Sequence, residues 1–143
     1  MDKNKEKTIL IVEDDENSYL YLLFALEETG SNILRASNGI EAINIFKEAK
    51  VNIDLILMDL KLPLIDGYQC SEAIRRIKPN VTIIAQTASY LPLIDQKLKE
   101  YNFDGVIIKP FTVTQLFEAI ESVDKNRFNS LNNTSEITLL HDN

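Results

Sequence analysis

Residues 55–67 read LILMDLKLPLIDG. The first four are aliphatic with no polar break, so neither face of that segment is made for water. The run is far too short to span a membrane, and Pro63 and Asp66-Gly67 punctuate the loop after it. A short apolar run bounded by turn signals suits a strand covered on both faces, as in a parallel sheet. Asp59 stands directly at its end.

The pattern repeats in both directions from this segment. Upstream, TILIV (8–12) is a second fully apolar strand, residues 17–29 form a helix ended by Gly30, and a weaker strand covers 32–36. Asn38-Gly39 then turns the chain into a helix over 40–49. Downstream, a helix covers 68–77, Pro79-Asn80 resets the chain, and a strand covers 81–85. Pro92 opens a helix that reaches about Tyr101, Gly105 precedes a strand at 106–108, and a last helix covers 113–125. Strict alternation of five strands with five helices predicts an α/β fold with a parallel five-stranded sheet, doubly wound as (βα)5. Right-handed crossovers place helices on both faces, and ligands in such folds bind outside the carboxyl ends of the strands.

Composition narrows the function. The chain has 143 residues, enough for one domain with its own core, and is 45% hydrophobic and 26% charged. A net charge of -7 gives no electrostatic footprint for nucleic acid or an anionic membrane, whereas carboxylates suit a hard cation or a basic partner. The apolar run near the start breaks at Glu13, too early for a signal core or a span, and the single Cys70 fits a reducing compartment. A cytoplasmic protein is expected. Residues 1–7 form a lead and 8–125 the domain; 126–143, NRFNSLNNTSEITLLHDN, form a tail or linker.

The strand ends carry the chemistry. Glu13, Asp14 and Asp15 follow the first strand, Asp59 the third, Thr87 the fourth, and Lys109 with Pro110 the fifth. Carboxylates converging on one point repel each other and raise one another's pKa unless a cation intervenes. Such oxygen donors suit Mg2+, which accepts one or two carboxylates and retains several waters. A carboxylate is also a nucleophile toward phosphorus, and phosphoryl transfer asks mainly for positioning and neutralised charge. The Lys109 ammonium and the Thr87 hydroxyl supply a cation and a donor for the equatorial oxygens. Asp15 reads as a helix cap, Cys70 as a small buried hydrophobe, and Asp66-Gly67 as a turn. Tyr19, Tyr21 and Phe24 read as packing and helix surface. His141 has no partner cluster and is given no role.

The blocks ILIVEDDEN, LILMDLKLPLIDG, IIAQTAS and VIIKPF, in this order and spacing, resemble the signature segments of response-regulator receiver domains of two-component signalling (the CheY-like superfamily). The resemblance covers residues 7–125. It implies a flavodoxin-like strand order 2-1-3-4-5 and a cis Lys109-Pro110 bond. It makes Asp59 the phosphoacceptor, Thr87 the switch hydroxyl and Lys109 the phosphate-pairing lysine. Mg2+ would be held by Glu13, Asp14, Asp59 and the Lys61 backbone carbonyl. The phosphodonor would be a histidine kinase or phosphotransfer protein. Phosphorylation would alter a surface around the fourth and fifth helices and so control an output partner. Such a domain is a switch with only autocatalytic phosphoryl transfer and self-dephosphorylation.

One position departs from the pattern. Many receivers carry an aromatic residue three positions before the lysine, and its rotamer follows the threonine; here Val106 stands there. Switching is therefore expected to be weaker or routed through the loop from Ser89 to Pro92. Two alternatives remain open. A degenerate receiver would bind partners without phosphorylation, and a Mg2+-dependent phosphatase would use Asp14 flanked by Glu13 and Asp15. The second lacks an inserted cap segment to enclose a small substrate. A flavin or nucleotide carrier is disfavoured, because acids stand where a phosphate cradle would be needed.

Overall fold

The computed structural model of the protein describes residues 7–48 and 50–132, with 125–132 described by backbone alone. The elements alternate as β1 (Thr8–Val12), α1 (Glu16–Glu27), β2 (Asn32–Ala36), α2 (Gly39–Glu48), β3 (Leu55–Asp59), α3 (Gly67–Ile77), β4 (Thr82–Thr87), α4 (Leu91–Glu100), β5 (Gly105–Ile108) and α5 (Val113–Asn132). The sheet is parallel throughout, in the order β2-β1-β3-β4-β5.

The unbroken apolar runs have a direct structural reason. Side chains alternate across a strand, so Leu10, Val12, Ile56 and Met58 feed one core with Ala42, Phe46, Cys70 and Ile74 of α2 and α3. Ile9, Ile11, Leu55 and Leu57 feed the other core, against Leu22, Leu26, Leu116 and Val123 of α1 and α5. Each fully buried aliphatic side chain contributes about 1.5–3 kcal/mol of transfer free energy. The winding reverses between β1 and β3, which are hydrogen-bonded neighbours. Their carboxyl ends therefore emerge side by side, with Glu13 and Asp14 on one and Asp59 on the other.

Boundaries differ from the sequence reading in ways that matter for the site. β3 extends through Asp59 and β4 through Thr87, because Asp59 pairs in register with Gln86 and Thr87 with Ile108. Both residues are thus the last of their strands and are held by the sheet rather than by a loop. α1 begins at Glu16 and ends at Glu27, short of Thr29; Gly30 follows at φ 79°, a backbone conformation that glycine adopts without strain.

Asp66 and Gly67 do more than make a turn. The Asp66 carboxylate accepts from the Gln69 amide at 2.8 Å and the Gln69 side chain accepts in return from the Asp66 amide, a capping box that starts α3. α5 runs on to Asn132, past the expected end at Lys125. No Pro or Gly interrupts 113–132, and Asn and Ser do not by themselves break a helix. The ITLL run and His141 lie outside the described residues. The Lys109-Pro110 bond is cis, as the resemblance implied.

Candidate functional site

Glu13 leaves β1 with its amide donating to the Ala36 carbonyl at 3.0 Å and its own carbonyl accepting from the Arg35 guanidinium at 3.2 and 3.3 Å. These bonds fix the strand end, and the carboxyl is turned inward until the residue is only 1% exposed. Asp15 caps α1 by accepting from the Ser18 amide at 2.8 Å, and that bond lowers its carboxyl pKa. Asp15 is therefore committed to the helix, as expected, and Asp14 between them is exposed.

Glu13, Asp14 and Asp59 each present a carboxylate oxygen, and these oxygens all lie within 4.8 Å of one another. The Lys109 ammonium reaches across the sheet to Glu13 Oε1 at 3.1 Å and Asp59 Oδ2 at 3.6 Å. Burial, and then the Asp59 charge beside it, push the Glu13 carboxyl up to about 7, with Lys109 opposing the shift. Such a centre has a surplus of negative charge that one ammonium only partly offsets. Hard oxygen donors, a buried carboxyl held near neutrality and an exposed acid at the mouth fit a small divalent cation.

The backbone around Asp59 is equally constrained. The Lys61 amide donates to Asp59 Oδ1 at 3.1 Å, which brings the main chain at Lys61 alongside the acids. The Gly67 amide donates to the Leu60 carbonyl at 3.0 Å. A Cβ at Gly67 would run into the Asp59 carbonyl oxygen, so only glycine allows α3 to start this close to the strand end. On the far side, Thr87 is 2% exposed and its Oγ1 accepts from the Ser89 amide at 3.0 Å. The Lys109 amide donates to the Thr87 carbonyl at 2.7 Å. The Tyr21 hydroxyl donates to the Phe111 carbonyl at 2.9 Å and the two rings meet edge-on at 5.8 Å, which ties α1 to the loop after Lys109. The sequence reading of Tyr21 as packing therefore stands.

The structure thus brings Glu13, Asp14, Asp59, Lys61 and Lys109 together, with Thr87 at the neighbouring strand end. Cys70 is fully buried, its Sγ donates to the Gly39 carbonyl at 3.5 Å, and burial pushes its thiol up to about 12, which leaves it inert. Val106 packs in a third cluster with Leu60, Tyr68, Ala85 and Leu98. The aromatic groups there come from elsewhere: the Tyr68 ring lies 5.3 Å from Tyr101 and 5.8 Å from Phe103, and the Lys97 ammonium sits 4.3 Å above it.

Sequence reasoning passed over two residues. Gln86 is 1% exposed and is the one long polar side chain of β4 (TIIAQT), and a side-chain amide in a fully buried strand is a signal in itself. Tyr68, directly after the Asp66-Gly67 pair, gave no such signal.

An acid–lysine centre at the switch point of a (βα)5 sheet defines the receiver class of signalling domain. A family model described as "Response regulator receiver domain" matches residues 9–121. The chain belongs to this family, whose members act as signalling switches in two-component systems. It is similar to the autoinducer 1 sensor kinase/phosphatase LuxN of Vibrio harveyi, 32% identical over 117 residues that make up 79% of this chain and 13% of that protein. It is also similar to the polar-differentiation response regulator DivK of Brucella anthropi, 29% identical over 118 residues, covering 81% of this chain and 94% of DivK. The chain spans only 7–14% of the length of the histidine-kinase relatives it matches.

Among solved structures, the receiver domain of a Pseudomonas aeruginosa PAO1 sensor histidine kinase is 29% identical, with a TM-score of 0.70 over 78% of this chain and 92% of that one. It was crystallised with a magnesium ion coordinated in its active-site cleft. The chemotaxis protein CheY4 of Vibrio cholerae shares the fold, at 24% identity and a TM-score of 0.75 over 82% of this chain and 98% of that one. Among the described residues, no helix is long and apolar enough to cross a membrane.

Proposed function

We propose that Asp59 accepts a phosphoryl group from a phosphohistidine on a kinase or phosphotransfer partner, and that Mg2+ assists the transfer. The observation that carries this reading is the meeting of three acids and one ammonium at the ends of β1, β3 and β5, with oxygens within 4.8 Å and Lys109 bridging two of them. Glu13, Asp14, Asp59 and the Lys61 backbone carbonyl would hold the metal. When bound, Mg2+ neutralises charge on the phosphoryl oxygens and on the acids themselves.

In the transfer step, one Asp59 oxygen bonds to phosphorus as the phosphorus–nitrogen bond of the donor breaks, and the electron pair leaves on the imidazole nitrogen. Lys109, shared between Glu13 and Asp59 beforehand, turns an N–H toward an equatorial oxygen. The Thr87 hydroxyl, which accepts from the Ser89 amide, has its proton free to donate to another. Drawing Thr87 inward pulls the Ser89–Pro92 loop and α4. The same centre later directs water at the acyl phosphate, so the domain promotes its own phosphorylation and dephosphorylation without being a metabolic enzyme. Residues 8–125 form the receiver unit and 126–143 a tail or linker into which α5 continues. The output partner would read a surface around α4 and α5.

Acetyl phosphate with Mg2+, followed by intact mass, tests this reading. The native protein should gain one phosphoryl group and the Asp59→Asn variant none; full labelling of that variant would move the acceptor elsewhere.

A further inference from the structure

We propose that Gln86 is a positioning residue for Lys109: its side-chain carbonyl receives one ammonium proton when the acids are taken up by metal and phosphoryl. The inference rests on the phosphoacceptor reading of Asp59.

Gln86 is the penultimate residue of β4, in register with Asp59 on one side and Ile107 on the other. Its Nε2 donates to the Leu57 carbonyl at 3.4 Å. Only the amide nitrogen can face a carbonyl, so this contact fixes the orientation and turns Oε1 away from Leu57. Among the described residues, Oε1 has no hydrogen-bond partner although the residue is 1% exposed. A buried acceptor left unpaired is costly and uncommon, and it persists where function requires it.

Gln86 and Lys109 line the same cavity of about 330 Å³, walled by Asn17, Tyr21 and Phe111. An ammonium has three protons. In this structure Lys109 directs itself at Glu13 and Asp59, at 3.1 and 3.6 Å. Once those carboxylates ligate a cation and Asp59 carries phosphoryl, their claim on the ammonium weakens. A long lysine chain then needs a fixed acceptor to keep it aimed at the phosphoryl oxygen, and the neutral Gln86 carbonyl supplies one without drawing the ammonium off as a carboxylate would. The unpaired state belongs to the resting protein and the paired state to the phosphorylated one.

The test is a pair of near-isosteric variants, Gln86→Met and Gln86→Leu, measured against native protein whose labelling by acetyl phosphate is the control for the underlying reading. Absence of labelling in native protein would defeat that reading, not this inference. The expected result is a labelling rate and a beryllofluoride affinity reduced about tenfold, the worth of one hydrogen bond to a charged group. The Mg2+ affinity should stay within about twofold and the melting temperature should hold or rise, since an unpaired buried acceptor has been removed. Labelling and beryllofluoride affinity equal to native would overturn the proposal. So would a parallel fall in melting temperature, Mg2+ affinity and labelling, which a packing role alone would give. If neither variant folds, carbon-13 NMR of the native Gln86 side-chain carbonyl decides: a downfield shift on adding Mg2+ and beryllofluoride is expected, and an unmoved signal overturns the assignment.

Discussion

Two sides of the same sheet edge obey different rules. On the β1–β3 side, Glu13, Asp14 and Asp59 crowd like charges together, at the cost of a buried carboxyl pushed up to about 7. On the β4–β5 side, Val106 packs in a cluster with Tyr68, Tyr101 and Phe103, where contacts are mainly apolar and shape decides. In the proposed function the first side is set by a reaction, which tolerates few residue types at each point. The second would transmit a movement, and many packings can do that. A family member can therefore keep one side in full while rebuilding the other, as Val106 shows.

The largest expected effect lies on the chemical side. Lys109→Ala removes the cation shared by Glu13 and Asp59 and should slow labelling of Asp59 about 10²-fold, the usual loss for one charge-stabilising donor. It should leave Mg2+ binding as tight or tighter, because a competing cation has gone. Stopped-flow labelling and isothermal titration separate the two, and a joint loss of both would blur the division between sides.

Protonation gives the next effect. In the folded chain Glu13 keeps its proton up to about 7, whereas an unperturbed carboxyl releases it near 4.5. The folded state therefore binds the extra proton between those values, and without metal its stability falls as pH rises through that window and levels off above it. Mg2+ must displace that proton, so its affinity should climb as pH rises toward 7, by up to about tenfold per unit, and flatten beyond. Saturating Mg2+ should remove the fall in stability. A Mg2+ affinity that stays constant across that window would mean that Glu13 is not a ligand.

The smallest effect sharpens the other side. Tyr68→Leu should leave the labelling rate within about threefold, since the ring touches none of the reacting groups, yet change which α4 amides shift when beryllofluoride binds. Val106→Ala should alter that pattern less. Heteronuclear NMR reads both, and equal responses would return position 106 to the centre of the switch.

Much of this was legible in the sequence, because burial on both faces forces continuous aliphatic runs and the strand ends inherit the functional residues. Thr8–Val12 and Asn32–Ala36 fall where the pattern put them. What the sequence could not show is pairing. Asp59 and Thr87 belong to their strands only because neighbours in the sheet continue alongside them. Gly67 looked like ordinary turn chemistry, and its need to pass under the Asp59 carbonyl is a tertiary fact. The Glu13–Lys109 contact joins residues far apart in the chain, so spacing could suggest it but not measure it. Tyr68 could not be read at all, since its ring partners arrive from the end of α4 and the turn after it.

A crystal structure with Mg2+ and beryllofluoride bound would decide whether these acids and this lysine act as one centre. It should show beryllium on an Asp59 oxygen, the metal among Glu13, Asp14, Asp59 and the Lys61 carbonyl, and Lys109 turned from Glu13 toward a fluorine. Beryllofluoride on another residue, or a metal bound away from Glu13 and Asp14, would contradict it.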